Sequence, residues 1–251
     1  MYKFPFLDFD KLNNEMASLK IPAYKKLGFM YERMGGLFHD EPKRILKGAQ
    51  VAIVGLGGLP VQVIDNEYAL MGHKHTLLEI KEELYKMAGL SAGMSYANPY
   101  NKTLNELADK TLSLGHTSIL HTLNLNILIV GLTIGVEHEF SSQRDMVHLS
   151  RLTVAKTAAQ KQPCLVLRDE KYIDIYSETL KNTDSLLKDL DESKDWETIN
   201  LLYPTAKAST LMISGTFKNI LKLVALKDSD GKEDEFIDVL EKIDSAISWL
   251  K

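Results

Sequence analysis

Hydrophobic and polar positions along this chain repeat mostly with a helical period. Over 76–87 (TLLEIKEELYKM), Leu77, Leu78, Ile80, Leu84 and Met87 gather near one face while Lys81, Glu82 and Glu83 point elsewhere, which predicts an amphipathic helix. A second helix follows through Leu104, Leu107, Ala108, Thr111 and Leu112, with Asn101 placed to cap its start and Gly115 to close its end in the left-handed conformation. Segment 145–160 returns to helical spacing, 169–190 reads as a long helix with charged faces, and 217–226 and 233–250 as two more. Shorter apolar runs break the period: 50–54, the region 123–130 and 163–167 are strand-like, and 211–213 reads as strand or buried helix. Helices mixed with a few strands, without strict strand–helix–strand alternation, predict an α+β fold.

One stretch concentrates polar side chains around an apolar centre. Between Gly115 and Thr153, four of the seven histidines (His116, His121, His138 and His148) sit near Ser118, Gln143, Arg144, Ser150 and Arg151. The middle, 123–134, is almost uninterrupted aliphatic and must be buried. The cluster His116, Ser118 and His121 before it, and Arg144 to Arg151 after it, are therefore expected at the two ends of one rigid element, an arrangement suited to an anionic ligand.

Composition narrows the function classes. At 251 residues one sizeable core is the expectation. A formal charge of −4 excludes a generally basic nucleic-acid surface, so any anion must be met locally. The single Cys164, in PCLVLR, reads as an inert core thiol, which excludes disulfides and a cysteine metal site within one chain. Residues 1–20 carry acids among apolar positions and lack a signal-peptide core, and the longest apolar run, 127–134, is too short to span a bilayer. A soluble, cytoplasmic protein without membrane or nucleic-acid partners is expected.

Three further motifs have plain structural readings. GLGGLP (55–60) follows the strand-like VAIV as a dinucleotide-binding turn would. It lacks the third glycine, however, and Pro60 stands where the helix should start, so a hairpin or loop is expected. His73 and His75 form an H-x-H pair with no third ligand in view, which favours a solvent-facing loop and no metal. DLDESKD (189–195) reads as a solvated loop between helices.

GHTSILHT (115–122) resembles the Gly-His-x-[Ser/Thr]-x-x-Glu-His motif of the flavin-dependent thymidylate synthases, the ThyX family, and the resemblance continues in chain order. AGLSAGMSY (88–96) is similar to the Ala-Arg-Val-Ser segment that precedes that motif, and EHEFSSQRDMVHLSRLT occupies the place of the Gln-x-x-Arg-His-Arg signature and the Ser-x-Arg after it. LYPTAKASTLMISGTFKNILKLVALKDSDGKEDEFI resembles the family's closing motifs, and the similarity covers about residues 86–245. The resemblance implies a ThyX-like α+β fold with helices packed on a small mixed sheet, an 86–251 domain preceded by a 1–85 extension packed on the core, and a homotetramer.

Carried over by position, the resemblance assigns Ser91, His116, Ser118, His121, Gln143 and Arg144 to FAD, with His138 or Gln143 at the signature's polar edge. It assigns His138, Ser150, Arg151 and Lys218 to a pyrimidine nucleotide, and Lys227 and Ser150 to catalysis, Lys227 standing where the family has an Arg that polarises the uracil ring. The implied reaction is reductive methylation of dUMP, or related C5 chemistry on a pyrimidine nucleotide, using FAD, NADPH and methylenetetrahydrofolate. The chain departs from the family: Ser141, Ser142 and Gln143 stand in the Arg-His-Arg positions, His121 in the Glu position, and Thr216-Phe-Lys218 in place of Asn-x-Arg. A catalytically degenerate nucleotide- or flavin-binding relative, acting as regulator or partner subunit, is therefore the alternative.

Overall fold

The structure, a computed structural model, describes residues 44–56, 59–64, 67–70, 77–96, 102–151, 164–192 and 194–251. Strands β2 (Gln50–Leu56), β3 (Leu59–Ile64), β4 (Glu67–Leu70), β5 (Asn124–Thr133), β6 (His148–Arg151) and β8 (Ala208–Thr216) form one six-stranded antiparallel sheet in the spatial order β4-β3-β2-β5-β8-β6. Two short strands, β1 (Ile45–Leu46) and β7 (Leu165–Val166), pair in parallel. A bridge from Leu165 to Lys207 ties that pair to the start of β8, which gives the assembly its mixed character. The helices are α1 (Leu77–Tyr96), α2 (Leu104–Ser113), α3 (Ile134–Ser141), α4 (Ile173–Leu187), α5 (Trp196–Leu201), α6 (Phe217–Val224) and α7 (Asp234–Ala246). This is the expected α+β class.

Burial decides the register. Residues paired directly across an antiparallel ladder project to the same face, and Ile53, Ile127, Ile213 and Leu149 form one such row. That face carries the main core, where Val136 and Phe140 of α3, Ile220 and Leu223 of α6 and Phe236, Val239 and Leu240 of α7 cover it. The Phe140 and Phe236 rings meet edge to face with centroids 4.9 Å apart. Sliding β5 by one residue would turn Leu125, Ile127 and Ile129 to the other face, at about 1.5–3 kcal/mol for each side chain exposed. The opposite face alternates: Asn124 and Asn126 lie at its open end, Leu128 and Val130 at its buried end.

The GLGGLP segment is a hairpin in its paired residues, with Gly55 opposite Pro60 and Leu56 opposite Leu59. The described residues of the acidic run, 189–192 and 194–195, form a turn between α4 and α5, where Asp195 accepts from the Asp191 amide at 2.7 Å. His73 and His75 lie outside the described residues. The residue-85 boundary falls inside α1, and β2 from before it pairs with β5 in the main sheet.

Three expectations are corrected. Segment 148–151 is not helical: it is edge strand β6, because β8 presents an open ladder that these residues complete. Residues 152–160 lie outside the described residues. The α2 cap is Thr103 rather than Asn101, since Glu106 completes a reciprocal capping box: Glu106 N–H donates to Thr103 Oγ1 at 3.3 Å and Thr103 N–H to Glu106 Oε2 at 2.8 Å. The two polar clusters do not sit at opposite ends of one element. Thr133 ends β5 and caps α3, which folds back over the sheet, so that β6 starts beside the end of β8 where β5 begins.

Candidate functional site

Four segments meet at the sheet end where β5 begins. Gly115, at φ +81°, turns the chain out of α2 as a residue without Cβ does most readily. A single 3-10 segment, Thr117–Thr122, then leads into β5, burying Ile119 and Leu120 and leaving His116, Ser118 and His121 exposed. At the same end Thr216 pairs with Asn124 and opens α6, and the Phe217 amide donates to the Leu123 carbonyl at 2.6 Å. The turn before β6 is fastened here too, because Asn219 Nδ2 donates to the Met146 carbonyl at 2.8 Å. A Cβ on Gly215 would lie 2.9 Å from Val147 Cγ1, so a larger residue there would force the β6 edge away.

Thr216 joins two of these segments through one hydroxyl. Its Oγ1 accepts from the Asn219 amide at 3.3 Å, capping α6, and lies 3.0 Å from Nδ1 of His121. Lys218 follows in the first turn of the same helix.

A polar row crosses the adjoining face of the sheet. Gly55, Asn126, Ser214 and His148 are consecutive partners across β2, β5, β8 and β6. Ser150 lies one row further in, opposite Met212. Gly55 is small for a reason: an added Cβ would come within 2.6 Å of Asn126 Nδ2. Asn124, Asn126, Ser214 and Thr216 were missed by motif reasoning. Their signal is the period-2 spacing of polar residues, N-x-N opening β5 and S-x-T closing β8, at strand ends where the aliphatic run gives way.

The assigned residues divide. His116, Ser118, His121 and Lys218 come together at this end. Gln143 and exposed Arg144 lie in the turn that leads to it, where Gln143 Nε2 donates to Ser142 Oγ at 2.7 Å. Ser150 lies on the polar sheet face, and Arg151 is the next position of β6, opposite Leu211. Ser91 is partly buried on α1, which packs against the 3-10 segment. His138 is exposed on α3, beside Glu139, whose carboxylate pairs with Lys232 at 3.1 Å. Lys227 stands apart, beyond the far end of α6, where its ammonium bonds Asp244 Oδ2 of α7 at 2.8 Å. Lys251 bonds the other oxygen of the same carboxylate, and the two cations hold Asp244 below the usual carboxylate range.

A second ionisable group lies at the opposite end of β8. Lys207 is 4% exposed, its Nζ 3.4 Å from the Tyr203 ring centroid, and burial pushes its pKa down to about 8 despite the nearby Glu137 carboxylate. Glu137 is buried and accepts a hydrogen bond from Ser209 Oγ. Cys164 is fully buried, and desolvation raises its thiol to about 12, so it is the inert core thiol expected. Among the described residues no three His, Cys, Asp or Glu side chains are grouped to hold a metal ion, and no helix is long and apolar enough to cross a membrane.

No protein-family model and no curated protein matches the sequence. Solved structures do match. The chain is similar to Helicobacter pylori ThyX, solved with FAD and dUMP, at a TM-score of 0.56 and 17% identity over 79% of this chain and 92% of that one. A second H. pylori ThyX complex with FAD and dUMP matches at 0.55 and 18% identity, over 64% and 88% of the two chains. Streptomyces cacaoi PolB, a UMP/dUMP methylase bound with 5-Br UMP, matches at 0.56 and 10% identity over 82% and 91%. At these identities the likeness speaks for architecture, and the chain has the ThyX-like α+β fold that these proteins share.

Proposed function

We propose that this protein binds a pyrimidine nucleotide and FAD at the β5 end of its sheet and methylates the nucleotide at C5. The observation that carries this reading is the convergence of the His116–His121 segment, Lys218 and the Gln143–Arg144 turn at one end of a fold of the ThyX type. Both ligands are anionic, and Lys218 and Arg144 supply cations beside hydroxyl and imidazole groups, so the residue set fits phosphate-bearing molecules. Arg144 is matched to a planar oxyanion by its fork, Lys218 to a single oxygen by its compact charge. Held by these residues, FAD in its reduced form would supply the hydride, with methylenetetrahydrofolate as the carbon donor and NADPH as the reductant of the flavin. The protein's own work is to position and to neutralise: Ser118, Ser150 and His121 orient the ligands, and Arg144 and Lys218 offset their charge. Assembly as a homotetramer belongs to the same reading.

Absorbance tests the cofactor. Freshly purified protein should be yellow with a flavin band at about 450 nm. It should bind dUMP in calorimetry and let a thymidine-requiring bacterium grow on minimal medium. A colourless protein that does not bind dUMP would overturn the reading.

One feature favours the second reading, a binding homologue without synthase activity. The ammonium assigned to the pyrimidine ring, that of Lys227, is held by Asp244. A yellow, dUMP-binding protein that fails to support growth selects it.

A further inference from the structure

We propose that Thr216 is a positioning residue that fixes the proton of neutral His121 on Nε2 and thereby aims an N–H donor at an oxygen of the bound anion. The inference rests on the functional reading above for the ligand and on geometry for the proton. Thr216 Oγ1 has two lone pairs and one proton. One lone pair takes the Asn219 amide at 3.3 Å. The hydroxyl proton stays free to donate, and the proposal gives it to His121 Nδ1, 3.0 Å away, in place of the reverse bond from an Nδ1–H to the second lone pair. A neutral imidazole carries a single N–H, so an accepting Nδ1 leaves the proton on Nε2. The ring is exposed, and Nε2 has no partner among the described residues, so its N–H is available to a ligand.

The same hydroxyl sets where the ring stands. Thr216 is fixed by its pairing with Asn124 and by its place at the start of α6, while His121 sits on a 3-10 segment that packs on α6. Cap and histidine are thus held by one oxygen. The donor is carried at the helix end that also bears Lys218, so a phosphate or a ring carbonyl oxygen meets a directed N–H and a cation together.

Nitrogen-15 spectra of the full chain, labelled at histidine and recorded at alkaline pH where imidazole is neutral, read the proton directly. In the native protein His121 should show Nδ1 as an unprotonated, hydrogen-bonded acceptor and Nε2 as protonated. Thr216→Ser keeps hydroxyl and cap and should reproduce that pattern. Thr216→Asp keeps the cap but can only accept, and should move the proton to Nδ1. Thr216→Val removes the hydroxyl at nearly constant volume, so the Nδ1 resonance should shift to that of an unbonded ring nitrogen. Titration with dUMP should show Thr216→Val weakened about tenfold and Thr216→Ser within about twofold, the range of one directed hydrogen bond to a charged group. The same titration with deoxyuridine distinguishes phosphate from carbonyl as the acceptor, because only a carbonyl contact keeps the Thr216→Val effect. A native Nδ1–H tautomer, or a Thr216→Val spectrum unchanged at His121, would overturn the inference. A native protein with the expected tautomer and no affinity for dUMP instead overturns the functional reading alone.

Discussion

Two lysines that look alike in sequence have opposite situations in the fold. Lys207 is 4% exposed against an aromatic ring, with its pKa pushed down to about 8 by burial. The unfolded chain restores the ordinary value, near 10.4, and so binds more protons than the native state between about pH 8 and 10.4. The contribution of this amine to stability therefore rises with pH across that window, by about 3 kcal/mol if the full shift is realised, and its penalty is fully present below pH 8. Denaturant unfolding across this range should show the rise in the native protein, and Lys207→Met should lack it; parallel curves would place the amine in water. Lys227 is bound to Asp244 on the neighbouring helix. Lys227→Met should therefore leave dUMP affinity within about twofold, because a partly exposed ion pair between helices is lost and no ligand contact is. A tenfold loss in calorimetry would return this ammonium to the pyrimidine ring. Neither difference is legible from sequence, because burial and pairing partners arise from segments far apart along the chain.

At the scale of elements, periodicity carried most of the fold. Helices α1, α2, α4, α6 and α7, strands β2, β5 and β7, and the GLGGLP hairpin all follow from spacing and turn residues. Strand β6 did not, for a physical reason. Asp145 and the alanines beyond Arg151 favour a helix locally, whereas V-H-L-S also alternates with period 2, and the unpaired edge of β8 decides between them. The candidate site was half legible: the His116–His121 segment announced itself, while Thr216 and Asn126 stayed hidden, since an isolated Thr or Asn acquires meaning only through its cross-strand neighbours. Packing of α1 on α2 offers a direct test. A Cβ on Gly89 would overlap the Leu104 carbonyl oxygen, and backbone cannot move aside as a side chain can. Gly89→Ala should cost about 1–3 kcal/mol in chemical denaturation by forcing the helices apart, with the 3-10 segment bearing His121 losing its support. Equal stability would mean that the helices separate freely at that crossing.

For the whole molecule, the proposed tetramer can be set against a particular surface. Met87, Leu90 and Met94 are 53%, 45% and 81% exposed and recur at the spacing of one helical face on α1. Ala88 and Ala92 of the same helix are fully buried against Leu107, Ala108 and Ile119, so the exposed stripe faces away from the domain's own core. Single exposed apolar residues are ordinary, whereas an aligned set of three long flexible ones suits a subunit contact. An isologous contact through this stripe would bring α1 with Ser91 to a second copy, and a second two-fold contact between such pairs would close the tetramer. Light scattering of the native protein should then give about four times 28.3 kDa. Met87→Glu with Met94→Glu should lower that mass while circular dichroism stays unchanged, because both positions are exposed within the subunit and like charges would meet across the contact. Flavin absorbance should fall together with the mass if each cofactor site draws on two chains. A native monomer would remove the tetramer, and an intact tetramer carrying both charges would move the interface to another face.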